Sequence, residues 1–67
     1  MTEVKTFYEE IGKYERYSDK YKSLNEQINK YTQEKDLYIK SIHYDRFNDV
    51  IIANVLFTDI PNELFLL

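Results

Sequence analysis

The run Val50-Ile51-Ile52-Ala53-Asn54-Val55-Leu56-Phe57 constrains this chain more than any other stretch. It is β-branched and too apolar for a half-exposed edge, so it reads as a buried strand. A helix capped by Asn48 is the competing reading, and β-branching argues against it. A buried strand needs cover for its faces and something along its edges, and the rest of a 67-residue chain has to supply both. Just ahead of it, Leu37 to Tyr44 alternates as a second strand. One face would carry Tyr38, Lys40, Ile42 and Tyr44, and the other Leu37, Ile39, Ser41 and His43. Asp45-Arg46-Phe47-Asn48-Asp49, rich in Asp and Asn, reads as the turn between them. Residues 37–57 are thus expected to form a β-hairpin.

The cover is expected from residues 2–35. Val4, Phe7, Ile11 and Tyr14 recur at helical spacing, and so do Tyr17, Tyr21, Leu24, Ile28 and Tyr31. Thr2 would cap such a helix, and the pairs Glu9–Lys13 and Glu26–Lys30 would brace it. The two apolar series do not share a register. At about 100° per residue the stripe swings by roughly 90° between them. Either one helix runs through, or the chain breaks near Tyr17-Ser18-Asp19 with Ser18 capping a second helix. The absence of Gly or Pro at that point favours the continuous helix. Thr58-Asp59-Ile60-Pro61 is a stop signal, and the tail Glu63-Leu64-Phe65-Leu66-Leu67 is too apolar to hang free. The expected fold is α+β. A long N-terminal amphipathic helix would pack on a C-terminal hairpin in one domain, 1–67, with a turn and short apolar tail over 58–67.

Composition narrows the supports open to so small a fold. Chains of this size bury only about 60% of their unfolded surface and often need disulfides, a metal or a partner. There is no Cys and one His, so neither a disulfide nor a multi-histidine site can form within one chain. A partner is the expected support, either a second copy, with a dimer favoured, or another protein. The longest apolar run falls far short of the ~20 residues that span a bilayer, and the start Met1-Thr2-Glu3-Val4-Lys5 lacks a signal-peptide pattern. No membrane association and a cytoplasmic location are expected.

Candidate chemistry is sparse. Ser41, His43 and Asp45 carry the residue types of a hydrolytic triad and alternate along a strand. Neighbours at i and i+2 lie about 6.6–6.8 Å apart, too far for the hydrogen bonds a triad needs. Asp45, Asn48 and Asp49 offer oxygen ligands, but Phe47 interrupts them and no Gly follows, so turn chemistry is the better reading. The lone Gly12 makes no phosphate loop. No cofactor, metal or catalytic residue is expected, and the chain does not read as an enzyme.

Charge and aromatic content say more. Net charge is −3. A basic island, Lys13, Arg16, Lys20 and Lys22 diluted by Glu15 and Asp19, interrupts an otherwise acidic chain. Interleaved with Tyr14, Tyr17 and Tyr21, it is the basis for a secondary reading, a small nucleic-acid-binding regulator. The leading expectation is a non-enzymatic, self-associating protein-interaction module that inhibits or adapts a protein target. Seven Tyr and four Phe are a heavy load for such a core, and Tyr is favoured at interfaces. The expected contact residues are Tyr14, Arg16, Tyr17 and Tyr21, with Leu64, Phe65 and Leu67 of the tail. Small chains without a site are often accessory proteins of phages or mobile elements, and that class is the expected setting.

Overall fold

A computed structural model describes residues 2–61. The run at Val50 is the centre of the fold. Strand β1 (Thr2–Glu10) is followed by helix α1 (Tyr17–Lys35), strand β2 (Tyr38–Phe47) and strand β3 (Val50–Thr58). The three strands form one sheet in the order β1-β3-β2. β3 is antiparallel to both neighbours, with Thr2 opposite Thr58 on one side and Phe47 opposite Val50 on the other. β1 and β2 therefore run the same way, with the last strand inserted between them and the helix crossing from one to the other.

The expected long N-terminal helix over 2–35 is overturned. Its first part is β1, and only Tyr17–Lys35 is helical. The reason lies in β3. Its backbone N–H and C=O groups point to both sides, and the β2–β3 hairpin satisfies one side alone. β1 supplies the other side with nine consecutive pairs. Its composition suits this role, since Thr2, Val4, Thr6, Phe7 and Tyr8 all favour strands. The 3-4-3 spacing of Val4, Phe7, Ile11 and Tyr14 is coincidental: Phe7 is buried, while Val4 and Tyr14 are exposed.

The second apolar series is the buried stripe of α1. Leu24 and Ile28 are fully buried, and Tyr17, Tyr21 and Tyr31 pack around them. They meet Phe7 of β1 and Ile51, Ala53, Val55 and Phe57 of β3, which all face the helix. The helix starts after Arg16, which has extended backbone and no side-chain cap, and Asp19 in the first turn complements the helix dipole. It stops at Asp36, in the left-handed region at φ 55°, where the N–H of Asp36 returns to the Thr32 carbonyl.

The hairpin departs from the expected one in two ways. β2 runs on through Asp45, Arg46 and Phe47, so the turn is only Asn48-Asp49, with Asn48 at φ 53°. A register shift between Ile39 and Ser41 bulges the strand. Beyond the bulge the faces exchange, so Ile39, Ile42, Tyr44 and Arg46 share the helix side, and Ser41, His43, Asp45 and Phe47 lie on the other.

Candidate functional site

Alternation along the strands gives the sheet two unlike faces. The helix face holds the core. The opposite face has no helix over it among the described residues. Val4 and Tyr8 of β1 and Phe47 of β2 lie there with 69%, 65% and 71% of their surface exposed. Val50, Ile52 and Leu56 of β3 run between them, half-buried. A sheet with one solvated face ordinarily alternates apolar-in and polar-out, and here the outward side of β3 is mostly apolar. Polar relief comes from Thr6, whose hydroxyl donates to Asn54 Oδ1 at 2.7 Å, and from Ser41, His43 and Asp45.

Ser41, His43 and Asp45 do share this face. Asp45 sits within β2 rather than in the turn, and its carboxylate accepts from the Arg46 N–H at 3.0 Å. They line one strand at two-residue intervals, which is not hydrogen-bonding geometry for a triad. Among the described residues, no group of three or more His, Cys, Asp or Glu side chains could hold a metal ion. No helix there is long and apolar enough to cross a membrane.

The second surface is the edge of β1 away from β3, which pairs with no other strand among the described residues. Beside it a groove of about 560 Å³ runs between β1 and α1, with Phe7 and Tyr31 among its lining residues and Lys5, Gln27 and Lys30 around them. The aromatic rings are tightly organised. Phe7 stands edge-on to Tyr31 with centroids 5.8 Å apart, and Tyr31 lies 5.0 Å from Phe57. The Lys5 ammonium sits 4.7 Å from the Tyr31 ring centroid, a cation–π distance. The Tyr31 hydroxyl donates to the Glu3 carboxylate. That bond, with a smaller contribution from burial, holds the phenol above the usual tyrosine range. Farther along, Glu9 Oε1 accepts from Ser23 Oγ at 2.7 Å and from Gln27 Nε2 at 2.6 Å, tying β1 to α1. Glu9 therefore braces strand to helix, and does not form the expected i,i+4 pair with Lys13.

The residues expected to make contacts are spread over several environments. Tyr14 lies in the β1–α1 connection, 90% exposed, with Lys13 Nζ 5.6 Å from its ring centroid. Arg16 is exposed at the helix start. Tyr17 and Tyr21 are half-buried. The Arg46 guanidinium lies 4.1 Å from the Tyr17 centroid, and Tyr21 stands edge-on to Tyr44 at 5.6 Å. The three tyrosines thus do not share a helical ridge, because Tyr14 precedes the helix. Leu64, Phe65 and Leu67, with the rest of the apolar tail, lie outside the described residues.

The basic island is likewise divided. Lys20 pairs with Glu15 at 2.8 Å. The Glu15 carboxylate also accepts from the Gly12 N–H at 2.7 Å, and the Glu15 N–H returns to the Gly12 carbonyl at 3.1 Å. The bond from Lys20, then that from Gly12, holds the Glu15 carboxyl below the usual carboxylate range. A methyl group at Gly12 would lie 2.6 Å from Glu15 Oε1, the far end of a flexible side chain, so an alanine there would displace the Glu15 carboxylate and leave the backbone in place.

Compared with family models, with curated proteins and with solved structures, the chain matches none. The β1 edge and the sheet face opposite the helix were not singled out by sequence. Their signal was the Thr, Val, Phe and Tyr content of residues 2–8, masked by a chance helical spacing.

Proposed function

We propose that this chain is a non-enzymatic protein-interaction module that self-associates and blocks or adapts a protein target. The observation that carries the reading is the exposure of Val4, Tyr8 and Phe47 on a sheet face that no described helix covers. Contiguous exposed apolar area on a small domain marks an interaction surface more often than scattered single residues do. Tyr supplies large contact area with a polar handle. Tyr14 and Arg16, exposed at the helix entry, are further candidate contacts.

The test is affinity capture from source cells with three full-length baits: the native chain, Tyr8→Glu and Phe47→Glu. A fourth bait, Lys22→Glu on the exposed side of α1, is the control. A specific partner held by the native and control baits, and lost from both sheet-face variants with unchanged circular dichroism, supports the reading. Partners that bind all four alike overturn it.

A further inference from the structure

We infer that two copies of this chain join along β1, antiparallel about a two-fold axis at Phe7, to form one six-stranded sheet. This deepens the self-association in the proposed function, and rests on it, by naming the partner surface and its register.

The two sheet edges are unlike. β2 is interrupted by its bulge, a feature that blunts edges against further pairing. β1 pairs with β3 through nine residues without a shift, so its other side offers a regular row of backbone donors and acceptors. The groove beside α1 leaves room on the helix side of β1 for side chains of a neighbouring strand.

Charge selects the register. In an antiparallel self-pair each residue faces a residue of the same sheet face, so the two-fold axis falls on a residue. An axis at Thr6 sets Glu3 against Glu9 of the other copy, and an axis at Lys5 sets Lys5 against itself. An axis at Val4 matches Glu3 with Lys5 but leaves only the start of the strand to overlap. An axis at Phe7 sets Lys5 against Glu9 twice, by symmetry, and overlaps Val4 through Glu10. It also places Phe7 against Phe7 on the helix side and Thr6 against Tyr8 on the other. Neither Lys5 nor Glu9 forms an ion pair among the described residues. Lys5 rests over the Tyr31 ring and Glu9 Oε1 holds Ser23 and Gln27, so the pairing across the seam would fall to the Lys5 ammonium and Glu9 Oε2.

Sedimentation equilibrium of the full chain is the measurement, with circular dichroism on each variant. The native chain is expected to dimerise. Lys5→Glu sets like charges opposite at two symmetric places and should weaken the dimer by about tenfold or more. Glu9→Lys should do the same, and the double swap Lys5→Glu/Glu9→Lys should restore most of the affinity. Because Glu9 also braces α1, Glu9→Gln provides a milder version that keeps an acceptor for Ser23 and should weaken the dimer severalfold. A native chain that stays monomeric at high micromolar concentration overturns the inference. So does a dimer indifferent to Lys5→Glu and Glu9→Gln, or a double swap that recovers nothing. Phe47→Glu, on the far edge, should leave the dimer intact while losing the target, so failure of one reading is distinguishable from failure of the other.

Discussion

Leu24 and Ile28 are the residues on which α1 depends, since they are the only helix side chains wholly within the described core. Leu24→Ala should cost about 2–5 kcal/mol, cavity included. That approaches the total stability of a domain this small. Thermal unfolding should show the loss directly, whereas Lys22→Ala should stay within about 0.5 kcal/mol. Tyr31 makes a different kind of prediction. Its phenol is held above the usual tyrosine range because the neutral hydroxyl donates to Glu3. The associated stability is full below the unfolded tyrosine pKa and is lost as pH rises through the folded one. Denaturant midpoints should therefore fall at strongly alkaline pH, and Tyr31→Phe should remove that part of the slope. Glu15 has the opposite sign. Its carboxyl is held low, so its contribution is present above the unfolded carboxylate pKa and is lost as pH falls through the folded value. Gly12→Ala would push the Glu15 side chain away and raise that pKa toward normal, which carboxyl NMR titration would read.

At the level of the elements, two junctions carry non-glycine residues at positive φ: Asp36 closing α1 and Asn48 in the hairpin turn. Asp and Asn tolerate this region better than other side chains, but glycine tolerates it best. Asp36→Gly should raise stability by about 0.5–1 kcal/mol by equilibrium unfolding. Asn48→Val should lower it by about 1–2 kcal/mol. These junctions also show how legible the elements were. The helix from Tyr17 onward could be read from Leu24 and Ile28 because five apolar side chains at helical spacing coincided with good helix formers. β3 could be read because β-branched residues filled both alternating faces. β1 could not, because a strand with a single buried side chain, Phe7, has almost no period-two signal of its own. What makes residues 2–10 a strand is a backbone row on β3, far away along the chain. The bulge at Lys40 was hidden for a related reason: one extra residue exchanges the faces, and composition does not mark where it falls. The candidate site was legible only as a heavy aromatic load. Which tyrosines were inside depended on β1 being in the sheet.

For the molecule as a whole, the proposed dimer is electrostatic in its choice of register and backbone-driven in its strength. Added salt should relax the choice of register more than it weakens the pairing, since Lys5 is exposed and the backbone bonds are not screened. The layout has one further consequence, for the order in which the structure is built. β3 is the last of the described elements to be synthesised, yet it lies between the other two strands. On the ribosome, β1, α1 and β2 emerge with no common strand to join them. The pairing of Thr2 with Thr58 spans nearly the whole described length, a long closure that slows folding relative to local contacts. A nascent chain arrested before Val50 clears the exit tunnel should remain protease-sensitive throughout, and one extended past Thr58 should gain protection in a single step. Folding of residues 2–58 is thereby coupled to the emergence of β3.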